Sequence, residues 1–427
     1  MNRKSCMYSK WVLLLIGIFL FIACDDDNAG MPDPTYPEIP AEELQVQWKL
    51  LKEFTFDDLK EAQSGLGIGI KEIEQLLLGK NPHYPNSDIQ MRALKVACKS
   101  DHPDGSGEKI DLSGVVLMPP AMDSTTMHPL VIALPYTYVE NSDAPSNQLT
   151  NYDADNLEAF LIFWMIKASQ GYIVVIPDYP GFGDSHGQCF IPYIDSKPMI
   201  RTTYDFLQAA QIALNENYYA SEKSLIVTGY SLGGFVATSL ARKIETNPED
   251  NYTVDLLFVG GAPLRLKQIS DLVRASDELE TPYLMPYAIW GYKKNSYPDL
   301  KVEDILKEPY ASESDKYFDG NHSGIGELFP KNVNELFTEK YINDTNNGAN
   351  AFINNVLDEN SVIPWQNKCR FIMIHGKNDK TVYYENAQEY EREHKAAGGK
   401  VSFISITSGT HSSTGITYFI NLFLQLR

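Results

Sequence analysis

The sequence has few basic residues for its length. Among 427 residues it has 36 Lys and Arg against 56 Asp and Glu, which gives a formal net charge of -20. A protein that binds nucleic acid neutralises phosphates with clustered Lys and Arg, and no such cluster is present. Gly and Pro, at 28 and 24 residues, are too few for a fibrous protein, and a hydrophobic fraction of 43% is too high for a disordered one. The composition therefore indicates a globular protein with a large core and no nucleic-acid partner.

The first apolar run of the sequence is too short to cross a bilayer. It occupies residues 11–23 and follows Arg3, Lys4 and Lys10, whereas a bilayer core of about 30 Å requires roughly 20 residues of helix. A basic start followed by a short apolar stretch is typical of a secretion signal. We therefore expect residues 1–23 to be a signal peptide, whose removal would change the net charge to -23 because it holds three basic residues and no acidic one.

A cysteine follows this signal directly. Residues 21–24 read Phe-Ile-Ala-Cys, which resembles the lipobox of bacterial lipoproteins, although Phe21 stands where Leu is usual. The resemblance implies that Cys24 becomes the lipidated first residue of the mature chain. The three Asp at residues 25–27 resemble a signal for surface display in some bacteria with two membranes. We expect a lipid-anchored protein of the bacterial cell envelope, at the outer membrane or cell surface; ordinary signal cleavage beside an incidental Cys is the alternative.

Cysteine is scarce, at five residues. Cys6 would leave with the signal and Cys24 would carry the lipid, so Cys98, Cys189 and Cys369 would remain. An odd number of thiols in an oxidising compartment allows at most one disulfide. Cysteine chemistry is therefore not the expected function.

The rest of the chain alternates between short apolar runs and helical patterns. Residues 24–44 predict an acidic, Pro-rich tether, residues 47–79 predict two helices, and residues 91–98 with 112–118 predict an antiparallel hairpin. Further strands are predicted at residues 129–134, 172–177, 225–228, 256–259, 370–374 and 401–406. Helices are predicted at residues 157–169, 201–215, 232–244, 385–395 and 417–426. This order predicts an α/β fold with a mostly parallel, eight-stranded sheet and helices on both faces.

Residues 262–365 interrupt this alternation. A structureless loop of about a hundred residues would be exceptional inside a domain. We therefore predict a helical cap inserted into a core whose first part is residues 45–261 and whose second part is residues 366–427. The cap would lie over the edge of the sheet that carries the site.

A nucleophile motif follows the strand predicted at residues 225–228. Residues 229–234 read Gly-Tyr-Ser-Leu-Gly-Gly and precede a predicted helix, which is the setting of a nucleophile elbow. The small flanking residues let the chain turn tightly while the hydroxyl of Ser231 stays exposed, and the helix dipole favours negative charge beside it. The pattern G-x-S-x-G arises by chance in roughly one chain in ten of this length, so the assignment depends on the strand and helix around it.

A serine nucleophile requires a base and a group that orients the base. Asp379 follows the strand at residues 370–374, and His411 follows Gly and Thr after the strand at residues 401–406. The order Ser231, Asp379, His411 is the one expected of α/β-hydrolases. His375 is the competing base, but as the first residue of a His-Gly turn it is expected to pack beside the site instead. Glu385 and Asp358 are the alternatives for the acid. The other histidines are expected at the surface: His83, His102, His128, His186, His322 and His394.

An oxyanion hole normally combines the amide after the nucleophile with an amide from an earlier turn. Leu232 supplies the first amide. The second is expected from Tyr136 or Thr137, after the strand at residues 129–134. Tyr136 has in addition a phenol hydroxyl that could donate to the oxyanion.

Residues from about 90 to the C-terminus resemble an α/β-hydrolase, and within that superfamily they are similar to the secretory lipase group. The segments that carry the resemblance are residues 177–184, 192–193, 229–234, 375–379 and 409–411. The chain departs from that group at Tyr136 and Thr137, where His-Gly is common, and at Ile191, where His is usual. The resemblance implies a serine hydrolase, with Ser231, Asp379 and His411 as its triad, that cleaves small-molecule or lipid carboxylic esters.

Two other functions stay open at the level of the sequence. A serine peptidase of the prolyl type would use the same triad, although no β-propeller repeat is evident. A non-catalytic surface lipoprotein on a hydrolase scaffold is the other. We predict no cofactor and no metal, because Asp315, Asp319 and Glu327 depart from the spacing of a calcium loop.

Overall fold

The computed structural model describes residues 40–64, 87–120, 124–343 and 350–426. All of them belong to one compact unit, Pro37–Arg427. The predicted signal peptide, Cys24 and most of the predicted tether lie outside the described residues. None of the described helices combines the length and apolar character needed to cross a membrane.

A nine-stranded sheet forms the centre of the described structure. In chain order its strands are β1 (Gln47–Thr55), β2 (Ile89–Asp101), β3 (Lys109–Met118), β4 (Met127–Leu134), β5 (Ile173–Pro177), β6 (Ala220–Tyr230), β7 (Thr253–Gly260), β8 (Arg370–Gly376) and β9 (Val401–Ile406). Across the sheet the order is β1-β2-β3-β5-β4-β6-β7-β8-β9. β1, β2 and β3 pair antiparallel, β3 pairs antiparallel with β5, and the pairs from β5 to β9 are parallel. The predicted mostly parallel sheet is confirmed, but it has nine strands where we predicted eight.

The additional strand is β1, where we predicted a helix. Its pairing with β2 shifts register after Leu50 and again after Phe54. Phe54 is fully buried, whereas Trp48 and Leu50 are exposed. A register shift breaks the period of two along a strand, so the apolar residues fall at spacings that imitate a helix. One helix, α1 (Phe56–Ser64), follows β1, and residues 65–79, where the second was predicted, lie outside the described residues.

Helices cover both faces of the sheet. After α1 they are α2 (Pro145–Thr150), α3 (Ala159–Ser169), α4 (Ser196–Glu216), α5 (Leu232–Thr246), α6 (Leu266–Arg274), α7 (Leu284–Lys294), α8 (Tyr310–Glu313), α9 (Val333–Leu336), α10 (Glu339–Ile342), α11 (Ala351–Asn360), α12 (Tyr384–Ala396) and α13 (His411–Gln425). Along β5, Ile173 and Val175 join the core under α4 and α5, whereas Val174 and Ile176 join the core under α3 and α13. Burial on both faces explains why the parallel strands are continuous apolar runs.

Six of these helices, α6 to α11, lie in the described part of the chain between β7 and β8. α6 packs against α11, and the amide of Val362 bonds to the carbonyl of Leu264, which joins the two ends of this segment. The thiols of Cys98, Cys189 and Cys369 are all free, so the single disulfide that the cysteine count permits is not formed among them.

Candidate active site

Ser231 lies in the turn between β6 and α5. Its backbone has φ 56° and ψ -122°, a conformation that costs energy for a residue with a side chain. Its amide donates a hydrogen bond to the carbonyl oxygen of Gly260, at 2.8 Å, which ties the turn to the end of β7. The strained turn therefore holds the serine hydroxyl at the N-terminus of α5, at the carboxyl edge of the parallel strands.

Glycine on both sides of Ser231 allows the close packing of this turn. A Cβ on Gly229 would lie 2.2 Å from the backbone of Gly233, and a Cβ on Gly233 would lie 2.1 Å from the carbonyl oxygen of Leu134. A larger residue at either position would separate α5 from β6 or from the end of β4. The glycines of the motif are required for packing as much as for the turn itself.

Asp379 lies in the loop after β8, and its side chain is fully buried. Its Oδ1 accepts hydrogen bonds from the amides of Thr381 and Val382, at 3.0 and 2.8 Å, and its Oδ2 accepts one from Nδ1 of His411 at 2.7 Å. Burial alone would raise the pKa of Asp379, but its interactions with His375 and His411 outweigh burial and lower the pKa to about 2. The carboxylate therefore stays ionised and orients the imidazole of His411.

His411 is the first residue of α13. Thr410 caps this helix, because its Oγ1 accepts the amide of Ser413 while Oγ of Ser413 accepts the amide of Thr410. Nδ1 of His411 carries the proton that it donates to Asp379, since an ionised carboxylate can only accept. Nε2 then lies 3.0 Å from Oγ of Ser231 and is available to accept the hydroxyl proton.

Two glycines bring the loops of Asp379 and His411 together. A Cβ on Gly376 would lie 2.3 Å from the carbonyl oxygen of Gly409, and a Cβ on Gly409 would lie 3.0 Å from Cα of Gly376. The amide of Asn378 donates to the same carbonyl oxygen of Gly409 at 2.9 Å. This contact between the ends of β8 and β9 places the acid within reach of the base.

His375, the competing base, lies fully buried at the end of β8. Its Nε2 donates to the carbonyl oxygen of Val382 at 2.7 Å and lies 3.4 Å from Oδ2 of Asp379. It therefore holds the Asp379 loop, and among the described residues the imidazole bonded to Ser231 is that of His411. The competing acids, Asp358 and Glu385, are exposed. The expectation that His128 and His394 lie at the surface is wrong, because both are buried.

The candidate oxyanion donors lie on two segments that touch each other. Leu232 is the first residue of α5, so its amide has no acceptor within the helix, and the contact of Gly233 with Leu134 brings the loop after β4 beside it. The phenol hydroxyl of Tyr136 donates to Oε2 of Glu158 at 2.6 Å, and a phenol has one proton to donate. Oγ1 of Thr137 bonds to the hydroxyl of Tyr193. The phenol of Tyr136 is thus engaged elsewhere, which leaves the backbone amides of Tyr136 and Thr137 as candidates.

A narrow cleft of about 710 Å³, solvent at its mouth included, opens beside Ser231. Tyr193, Lys380 and Thr381 line it on the core side. Glu280 and Thr281, from the segment between β7 and β8, line it as well. Most side chains that this segment contributes to the cleft are apolar, among them Leu266, Ile269, Val273, Leu284, Met285 and Leu357. The cleft can therefore hold an apolar group next to the serine hydroxyl.

The aromatic segment at residues 282–290 divides between two roles. Leu284 and Met285, at the start of α7, line the cleft. Tyr287 is buried instead and stacks on Tyr193 with ring centroids 4.5 Å apart. Aromatic composition alone does not show this division, because it depends on which face of α7 turns toward Ser231.

Comparison with known proteins identifies one family model, the prolyl oligopeptidase family, which matches residues 159–246. No curated protein sequence matches the chain. Among solved structures, the chain is similar to LipA of Xanthomonas oryzae, a rice cell wall degrading esterase, with 20% identity, a TM-score of 0.71 and coverage of 91% of this chain and 97% of LipA. It is also similar to Candida antarctica lipase A in its closed state, with 16% identity, a TM-score of 0.60 and coverage of 91% and 82%. The chain has the α/β-hydrolase fold that its sequence resembles.

Proposed function

We propose that the protein is a serine hydrolase that cleaves carboxylic esters. One observation carries the proposal: Asp379, His411 and Ser231 form a continuous chain of hydrogen bonds, of 2.7 and 3.0 Å, that ends on a serine hydroxyl in a strained turn. A buried ionised carboxylate, an oriented imidazole and a serine at a helix N-terminus are the elements of nucleophilic acyl transfer.

In the proposed reaction, Oγ of Ser231 attacks the ester carbonyl while Nε2 of His411 takes the hydroxyl proton. The amide of Leu232 and that of Tyr136 or Thr137 stabilise the tetrahedral oxyanion. His411 returns the proton to the alcohol that leaves, and an acyl group stays on Ser231. Water, deprotonated by His411, then releases the acid and restores the serine.

The apolar cleft supports an ester substrate. Its aliphatic lining beside Ser231 would bury an acyl chain, which gains about 0.8 kcal/mol for each buried methylene. A small-molecule ester and a lipid ester both supply such a chain. The proposed reaction requires no metal or organic cofactor, because the base, the acid and the oxyanion donors are all groups of the chain.

A serine peptidase of the prolyl type is a second candidate. It is favoured by the match of the prolyl oligopeptidase family to residues 159–246, a range that includes Ser231. The acid and the base lie outside the matched range. The same three residues would then cleave an amide, so substrate preference decides between the two candidates.

A substrate panel tests these candidates. We expect nitrophenyl esters with acyl chains of increasing length to be cleaved with kcat/KM that rises with chain length until the cleft is filled, because each buried methylene adds binding energy. Aminoacyl-proline amides are expected to react at least about a hundredfold more slowly, the size of effect that substrate discrimination in a pocket gives. Faster cleavage of the amides would favour the peptidase instead.

We also propose that the mature protein is a lipoprotein of the bacterial cell envelope, at the outer membrane or cell surface, attached through Cys24. The support is the lipobox-like Phe-Ile-Ala-Cys at residues 21–24 after a signal-like segment. A lipid is needed for stable attachment because a net charge of -23 would repel anionic lipid surfaces. The expected partners are therefore the membrane and an ester substrate.

Replacing Cys24 with Ser is expected to abolish incorporation of labelled palmitate and to leave the protein in the soluble fraction, because Ser lacks the thiol that carries the diacylglyceryl group. Globomycin is expected to block processing of the wild type. Cys6→Ser is the matched control: Cys6 lies within the predicted signal, and its loss should leave labelling unchanged. A Cys24→Ser chain that still incorporates palmitate would contradict the anchor.

A further inference from the structure

Tyr230 stands directly before the candidate nucleophile and contacts the candidate base. It is the last residue of β6 and is buried. Its hydroxyl donates a hydrogen bond of 2.6 Å to the backbone carbonyl oxygen of His411, and its ring centroid lies 5.2 Å from that of the imidazole. Tyr230 occupies the first variable position of the G-x-S-x-G motif. Its side chain is therefore hydrogen-bonded to the first residue of α13, which lies 181 residues further along the chain.

Two glycines, Gly260 and Gly261, make room for the Tyr230 ring, and a third, Gly415, lies in contact with it. A Cβ on Gly260 would lie 2.8 Å from the ring, and a Cβ on Gly261 would lie 2.7 Å from it. A Cβ on Gly415, in the first turns of α13, would lie 3.5 Å from the ring. The end of β7 and the start of α13 thus enclose the ring, so the hydroxyl has little freedom to move away from the His411 carbonyl.

The hydroxyl remains a donor under all ordinary conditions. Burial raises the pKa of Tyr230 far above that of a free phenol, and the negative charge of Asp379 raises it further. The proton therefore stays on the phenol while His411 cycles between its neutral and protonated forms.

We infer that Tyr230 is a positioning residue of the active site, whose hydroxyl holds the backbone of His411 at the distance that keeps Nε2 in hydrogen-bond contact with Ser231. The imidazole is already fixed at its far side by Asp379. Its backbone has a second attachment at Tyr230, and Tyr230 is covalently joined to Ser231. The nucleophile and the base are therefore linked by a path that does not pass through the acid. This inference rests on the proposed function.

The test is Tyr230→Phe in the full-length chain, purified in detergent, with a nitrophenyl ester as substrate. Phe keeps the ring between the three glycines and removes only the hydroxyl. We expect kcat to fall about tenfold, the effect of losing one net hydrogen bond from an aligned pair of reacting groups, while KM changes less than about twofold because the tyrosine does not line the cleft. The rate of fluorophosphonate labelling of Ser231 is expected to fall by a similar factor.

Tyr418→Phe is the matched control. Tyr418 is a buried tyrosine on α13 whose ring lies 5.3 Å from that of Tyr230, and its hydroxyl bonds to Oγ1 of Thr228 at 2.5 Å. Tyr418→Phe also removes a buried phenol hydroxyl, but this hydroxyl bonds to Thr228 and not to His411. The kcat of Tyr418→Phe is therefore expected to stay within about twofold of wild type.

The outcomes separate this inference from the proposed function. Equal loss of kcat in both variants, a Tyr230→Phe defect in KM alone, or a Tyr230→Phe chain that fails to fold while Tyr418→Phe folds would each overturn the positioning role. Ester hydrolysis by Ser231→Ala at the wild-type rate would overturn the proposed function. Serine-dependent activity with no difference between the two tyrosine variants would overturn the present inference alone.

Discussion

Ser231→Ala is expected to lower kcat for ester hydrolysis about 10⁶-fold, by analogy with the removal of the nucleophile from other serine triads. The hydroxyl is the atom that would form the acyl-enzyme, and its loss leaves His411 with no proton to accept. The substitution removes one oxygen atom, whose hydrogen bond is to the imidazole of His411. The fold is therefore expected to persist. Turnover of a nitrophenyl ester and labelling by a fluorophosphonate probe measure the effect, and both should be lost together.

Ser239→Ala controls for the loss of a serine hydroxyl on α5. Ser239 is buried on the same helix, and its hydroxyl has no hydrogen-bond partner within the described residues. Its replacement is expected to leave kcat within about twofold of wild type. Full activity of Ser231→Ala would remove Ser231 from the mechanism, whereas a folded wild type that neither hydrolyses esters nor reacts with the probe would revive the non-catalytic alternative.

Asp379→Asn is expected to lower kcat about 10⁴-fold, as the same change does where an aspartate orients a catalytic histidine. The amide of Asn can donate to Nδ1 of His411, which would place the imidazole proton on Nε2 and prevent that atom from accepting the proton of Ser231. Asp358→Asn and Glu385→Gln are the controls, because both side chains are exposed and both were candidates for the acid. Their kcat values are expected to match the wild type, and a large loss in either would reassign the role.

The same substitution has a pH-dependent effect on stability. The pKa of Asp379 is lowered from 3.8 to about 2 in the folded chain, so its ionised form stabilises the fold by about 2 kcal/mol well above pH 4. This contribution is lost as the pH falls through the range between the two values. We expect the free energy of unfolding of wild type, relative to Asp379→Asn, to decrease by about 2 kcal/mol between roughly pH 5 and pH 2, measured by urea unfolding. A pH-independent difference would contradict the lowered pKa.

Much of the core could be predicted because its strands are buried on both faces. In the strand Ile173–Pro177, successive side chains point into the cores on opposite faces of the sheet. Every residue of the strand is therefore apolar, and the strand can be recognised in the sequence without knowing which strands it pairs with. β1 could not be predicted in this way. Its pairing with β2 is irregular at Leu50 and Phe54, and the alternation that identifies a strand is lost at such shifts.

The residues of the candidate site can be picked out from the sequence where chemistry restricts residue type. Ser231, Asp379 and His411 each follow a predicted strand, and a nucleophile, an acid and a base allow few substitutes. The sequence predicts that His375 packs beside the site, but it does not show which backbone group His375 or Tyr230 bonds. His375 and Tyr230 hold the loops of Asp379 and His411 through bonds to backbone carbonyl groups, and a backbone acceptor leaves no mark on the sequence.

The class of the fold, the order of the candidate triad and the small residues around Ser231 follow from the amino-acid sequence, because periodicity, chain order and backbone strain are local properties. Which groups meet depends on the folded chain. The contact of Gly376 with Gly409 joins the acid to the base, the bond from Tyr136 to Glu158 removes its phenol from the oxyanion, and the orientation of α7 turns Leu284 and Met285 toward the cleft. These contacts link residues far apart in the chain, and their geometry follows from how strands and helices pack rather than from any one segment.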